Sequence, residues 1–217
     1  MKPKASQSGY YDAAYGKAAS LLRKADPAEI CAWSGARSRG RILSIRYFGE
    51  LYGVSMDDAG FEPDDLSVME KVLILRYLAH GEANASRAQR GAHGGLVSYE
   101  ALPNGMFYAA AFRRFGPAIL LRTFGAEPGA LAAASEPLGG REDEYGDCSV
   151  RIAALPHVEV VLIMHGGDDE FPSEAKMLFR DDIIRYLSLE DISRLGGALA
   201  LRLAASHRAL LRAESTV

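Results

Sequence analysis

The chain has 217 residues, with 25 basic and 28 acidic side chains, a formal net charge of −3 and a pI near 6.0. Hydrophobic residues make up 48% and charged residues 24%, values that support a real core. This balance excludes a wholesale nucleic-acid binder and a disordered polyelectrolyte, and two cysteines exclude a disulfide framework or a multi-cysteine metal cage.

The length predicts one domain over 1–217, with residues 1–8 disordered. Residues 1–50 carry nine basic and four acidic side chains, residues 51–200 thirteen and twenty-three, and the last seventeen three and one. Basic ends packed beside an acidic middle are expected. Met1 to Ser8 is basic and polar with no apolar run behind it, so it does not read as a signal peptide. No stretch approaches the roughly 18 apolar residues of a membrane span. Cys31 and Cys148 fit reduced, buried thiols, and a cytoplasmic protein is expected.

In chain order, Tyr11, Ala14, Ala18 and Leu21–Leu22 recur at helical spacing and predict a helix over Tyr10 to Lys24. Asp26-Pro27 caps a second short helix holding Ile30 and Trp33. Residues 35–41 read as a loop. Leu43, Ile45 and Tyr47 alternate, as do Tyr52, Val54 and Met56, which predicts a hairpin turning at Gly49-Glu50. The acidic stretch 57–65 is turn-like; Ser67 with Glu70 has the spacing of a capping box, and Asp64 is equally placed to open the helix that follows. The helix behind it, to Ala79, is apolar round most of its girth and so predicted to be central. A polar loop spans 81–95, and Leu96-Val97 is a short strand. Ser98 caps a turn ending at Pro103-Asn104-Gly105.

Helices are predicted over Met106 to Phe115 and Pro117 to Phe124, split by Gly116-Pro117. Residues 126–147 form a loose helix and then a loop. Strands follow over Ser149 to Ala154 and Val158 to Met164, then a helix near Ser173 to Phe179. Ser188-Leu189-Glu190-Asp191 opens the last helix, whose apolar stripe is Ile192, Leu195, Leu199 and Leu203. Hairpins with grouped helices predict an α+β fold: a small, mostly antiparallel sheet packed with several helices.

One segment goes beyond propensity. Gly166-Gly167-Asp168-Asp169-Glu170-Phe171-Pro172, with Leu178-Phe179, Tyr186-Leu187 and Glu190-Asp191, resembles the C-terminal signature of domain-of-unknown-function family 3786. Ile45 to Glu50, Glu70 to Leu75, Gly95 to Pro103 and Leu138-Gly139-Gly140 before Gly146-Asp147 fit the same family in order, over 40–195. The resemblance implies a protein of anaerobic bacteria or archaea, some of whose relatives carry an iron–sulfur domain rich in cysteine. That domain is not in this sequence, so cluster binding does not carry over. The family brings no known activity, catalytic residues or cofactor with it.

The sharpest candidate site is His165-Gly166-Gly167-Asp168-Asp169-Glu170, read as the end of a buried strand before a helix. His165 with Asp168, Asp169 and Glu170 suits a divalent metal or acid–base chemistry; equally, the acids suit the N-terminus of the helix that follows. Glu142-Asp143-Glu144 and Asp147 form a second acidic loop, a solvated one unless it folds beside Asp168. Arg87 to Gly95 mixes cations with glycines and suits an anion, or a plain flexible loop. Arg37, Arg39 and Arg41 lack interleaved aromatics, which argues against nucleic acid. Arg113 and Arg114 lie on an aromatic-rich helix with Phe107, Tyr108, Phe112 and Phe115, placed to reach inward to an acid or a ligand. His80, His93, His157 and His207 have no metal-ligand spacing.

Two functions are open. The first is a non-catalytic accessory protein in anaerobic redox or cofactor metabolism, binding a small molecule or an iron–sulfur partner protein through His165, Asp168, Asp169, Glu170, Asp147, Arg113 and Arg114. The second is a metal-assisted hydrolase or lyase centred on Asp168, Asp169 and Glu170. A structural subunit is a third reading, and neither the sequence nor the resemblance supplies a cofactor.

Overall fold

In the computed structural model, residues 7–79 and 95–215 are described. They form α1 (Gln7–Lys24), α2 (Pro27–Ser34), β1 (Arg37–Arg39), β2 (Ile42–Tyr47), β3 (Glu50–Ser55), β4 (Phe61–Glu62), α3 (Val68–Ala79) and β5 (Leu96–Ser98). After two 3-10 turns come α4 (Ala109–Phe115), α5 (Pro117–Phe124), α6 (Ala130–Ser135), β6 (Arg141–Asp143), β7 (Cys148–Leu155), β8 (Val158–His165), β9 (Glu174–Arg180) and α7 (Leu189–Glu214). The fold is α+β and every strand pairing is antiparallel, but the strands divide between two sheets where the sequence suggested one. The first has the order β1-β2-β3-β4 and the second β5-β9-β8-β7-β6.

The alternation in Leu43–Tyr47 and Tyr52–Met56 buries one face of the first sheet, as expected. Its turn lies one residue earlier than predicted: Tyr47 pairs with Glu50, leaving Phe48-Gly49 as the two-residue loop. Both take positive φ, 47° and 83°, the geometry whose twist matches a right-twisted hairpin. For a phenylalanine that backbone costs on the order of 1 kcal/mol. Complete burial of its ring outweighs it at about 2–3 kcal/mol. The Phe48 amide donates to the Ala154 carbonyl at 3.1 Å and so ties the first sheet to β7 of the second.

Three short strands lie in segments read as loops. β1 falls within 35–41, β4 within 57–65 and β6 within 126–147. None is long enough to show periodicity; each exists because a longer neighbour offers it a free edge. The larger correction is Ser173 to Phe179, predicted as a helix; from Glu174 onward it belongs to β9. Glu, Ala, Lys, Met and Leu favour a helix in isolation. Pairing with β8 overrides that preference, and Met177 and Phe179 turn inward at a spacing of two.

Two helices organise the rest. α3 is buried along Val72–Leu75, Tyr77 and Leu78, so it is central as predicted. α7 packs against α3, α4, α5 and α6. Both start with the predicted boxes. The Ser67 amide donates to Glu70 Oε2 at 3.1 Å, and the Glu70 amide to Ser67 Oγ at 3.3 Å. Ser188 Oγ donates to Asp191 Oδ2 at 2.7 Å and accepts from the Asp191 amide at 3.2 Å.

The boxes are then clasped reciprocally. Arg202 of α7 donates through Nε to Glu70 Oε1 at 2.8 Å, and Arg76 of α3 donates to Asp191 Oδ1 at 2.8 Å. Each helix holds the first-turn carboxylate of the other, which requires the two to run antiparallel. Among the described residues no helix is long and apolar enough to cross a membrane.

Of the disorder expected over 1–8, residues 1–6 lie outside the described residues, while residues 7 and 8 begin α1. The loop expected over 81–95, with its Arg87 to Arg90 cations, and His80 and His93 also lie outside them, save Gly95. Cys31 and Cys148 are free thiols, half-buried rather than fully buried.

Candidate functional site

The acidic turn connects two strands, β8 and β9, so no helix follows it for the acids to cap. Asp168 Oδ1 accepts from the amides of Glu170 at 2.9 Å and Phe171 at 2.7 Å. Its own amide donates to the Phe171 carbonyl at 2.9 Å. The Phe171 amide first, and then that of Glu170, hold its carboxyl below the usual aspartate value. Asp169 and Glu170 are exposed. His165 is half-buried in the last position of β8, paired in register with Glu174.

Asp147 does come to this turn, as its place before β7 allows. Its Oδ2 accepts from the Gly166 amide at 2.7 Å. Glu142 and Asp143 belong to β6, and Asp143 pairs with Arg151 at 2.7 Å. Thus the structure gathers Asp147, His165 and Asp168 at one end of the second sheet but turns the two aspartates onto backbone amides. Among the described residues no three His, Cys, Asp or Glu side chains are grouped to hold a metal ion. His157 instead stacks on Tyr186 at 5.4 Å, and His207 packs on Phe124 at 5.2 Å.

Asp168→Ala should therefore speed hydrogen exchange at the Glu170 and Phe171 amides and leave the global unfolding midpoint in place. Exchange mass spectrometry together with a melting curve checks both halves. A fall in the midpoint comparable to a core substitution would contradict the local role.

A broad concavity lies elsewhere. It is an open groove of about 1270 Å³ between the 3-10 turn Gly105–Tyr108 with α4 on one side and α7 on the other. Its floor is one face of α7: Glu190, Arg194, Gly197, Ala198 and Leu201 follow one another at spacings of one to four. Phe107 is 82% exposed, Tyr108 58%, Phe115 55% and Leu201 57%, so four large apolar side chains face solvent along one groove. Tyr99 anchors the wall from beneath, stacked on Phe112 at 4.2 Å, with its hydroxyl donating to the Leu189 carbonyl at 3.1 Å. Burial, and then the neighbouring Tyr108 and Glu100, push its phenol up.

The polar end of the groove is already engaged. Glu190 lies 2.6 Å from Arg194 and 3.6 Å from Arg76, and Arg194 also stands over the Tyr11 ring at 5.2 Å. Arg113 and Arg114 are both exposed on α4, the groove wall. Arg113 pairs with Glu100 at 3.1 Å, and Arg114 sits 5.8 Å from the Phe115 ring. Neither arginine lines the groove itself, and nor do His165, Asp168, Asp169, Glu170 and Asp147; of the aromatics named with the arginines in the sequence, Phe107, Tyr108 and Phe115 do. The groove residues do carry a signal in the sequence: α4 and the turn before it hold four aromatics, and one helix face can bury only some of them. Phe112 is the one that does.

The family model for a domain of unknown function, DUF3786, matches residues 26–202. The chain belongs to this family. The match extends on both sides of the 40–195 region that carried the resemblance, taking in α2 at one end and reaching Arg202 at the other. No curated protein and no solved structure matches the chain.

Proposed function

We propose that the protein is a non-catalytic binding or accessory protein whose site is the groove along α7. The observation that carries this reading is the run of solvent-facing Phe107, Tyr108, Phe115 and Leu201 along one concavity. Uncovered apolar surface of this kind marks a place where another molecule excludes water. The charge inside the groove supports binding over chemistry, since the Glu190 carboxylate is already held by Arg194 and Arg76. This reading keeps the accessory role in anaerobic redox or cofactor metabolism that heads the functions open from the sequence, and it moves the site away from the acidic turn.

The test uses Nile red, a neutral apolar dye whose emission reports a dry environment. Saturable binding at one site is expected, weakened about tenfold or more by Phe107→Ala combined with Leu201→Gln, each of which removes an exposed anchor. Both side chains are more than half exposed, so neither change reaches the core. Unsaturable binding, or binding indifferent to the double substitution, would overturn the reading.

A further inference from the structure

We infer that the groove receives an acidic amphipathic segment of a partner protein, laid as a helix along α7. This deepens the reading above and rests on it. The first argument is size. At about 1270 Å³ the groove exceeds the roughly 300–1,000 Å³ of small-molecule pockets. Its floor from Glu190 to Leu201 runs about 16 Å, three helical turns. Three turns are what a docking helix needs to present apolar anchors at i, i+3 or i+4, and i+7.

The second argument is charge. At the Glu190 end the groove adjoins a smaller hollow of about 310 Å³, which shares Ser188 and Glu190 with it and is lined by Lys17 and Arg76. The inner charges cancel: Arg76 and Arg194 face Glu190 and Asp191. Among the described residues, Lys17 at this end and Arg114 beside Phe115 form no ion pair. An apolar trough flanked by two cations outside its inner ion pairs, Lys17 at the Glu190 end and Arg114 beside Phe115, discriminates for a segment whose apolar face is flanked by Asp or Glu, and against a basic one.

The experiment selects a display library of random 15-residue segments on the whole protein, with counter-selection on the Phe107→Ala, Leu201→Gln variant. The expected winners carry apolar residues at helical spacing with acidic flanks. Synthesised, they should displace Nile red, bind about thirtyfold more weakly to Phe107→Ala and about tenfold more weakly to Lys17→Glu with Arg114→Glu, and weaken as salt rises. Circular dichroism of each variant confirms that it is folded. Winners without acidic flanks, or no winners that survive counter-selection while Nile red still binds, would overturn the inference and leave the binding reading standing. A concentration-dependent dimer that covers the groove would also overturn it, since the occupant would then be a second copy of this chain. Failure of Nile red itself removes both.

Discussion

Replacing Gly105 with alanine is expected to lower stability by roughly 3 kcal/mol, the upper part of the range for forced overpacking, and to abolish binding in the groove. A Cβ built on Gly105 runs into the Tyr99 carbonyl oxygen, with the Tyr99 carbonyl carbon at 3.0 Å and that of Glu100 at 3.4 Å. These are backbone atoms, and no rotamer change can clear them. Nor can Tyr99 yield, because its ring is stacked on the buried Phe112 and its hydroxyl is tied to Leu189 at the start of α7. The turn carrying Phe107 and Tyr108 must then move instead, and with it one wall of the groove. Thermal unfolding should show a midpoint lower by about 6–12 °C at this chain length. Nile red affinity should fall further than stability alone would require. A variant with unchanged midpoint and unchanged dye binding would show that the 99–105 turn is free to relax, and that the wall is not held from beneath.

How much of this was open to reading from the sequence depended on whether the deciding interactions were local. The two capping boxes were legible because Ser67 with Glu70 and Ser188 with Asp191 are three residues apart and need nothing else to form. The hairpin Leu43–Met56 and the strand Val158–His165 were legible from their periods and apolar runs. β9 was not, because its helix-favouring residues are overruled by the open edge of β8, a partner supplied from elsewhere in the chain. The acidic turn looked like a site for the same reason. His165, Asp168 and Glu170 are neighbours in sequence, but in a strand-to-strand turn the Asp168 carboxylate is drawn to the amides of its own loop. Conversely the groove joins Tyr11, Met69, Phe107 and Leu201, residues from four separated segments with no shared motif. Only the surplus of aromatics around α4 hinted at it, and a surplus reads as core until the fold shows which face is covered.

The clasp between Glu70 and Arg202 yields the second large effect, one with a characteristic dependence on pH. Burial alone would raise the Glu70 carboxyl. The Ser67 hydroxyl and the Arg202 guanidinium outweigh that and hold it below the usual glutamate value of 4.5. A depressed folded-state value contributes stability that is present above the unfolded value and lost as pH falls through the folded one. Arg202→Met removes the partner, leaves Glu70 buried with the Ser67 contacts only, and takes the guanidinium from above the Tyr47 and Phe48 rings. Stranding a buried carboxylate in this way is expected to cost about 3 kcal/mol at neutral pH. Glu70→Gln keeps the box geometry and should cost less, and the double variant should recover part of the sum, since the one carboxylate then left without Arg202, Glu50 at 3.7 Å, is exposed to water. The gap between the native chain and Arg202→Met should close as the medium is acidified below pH 4.5, where Glu70 takes up a proton. Urea unfolding of the four proteins at neutral pH and at successively lower pH measures this directly. A gap independent of pH would mean that Arg202 acts through the packing of its stem on Tyr47 and Phe48 rather than through Glu70. The antiparallel clasp would then be held at the Arg76–Asp191 end.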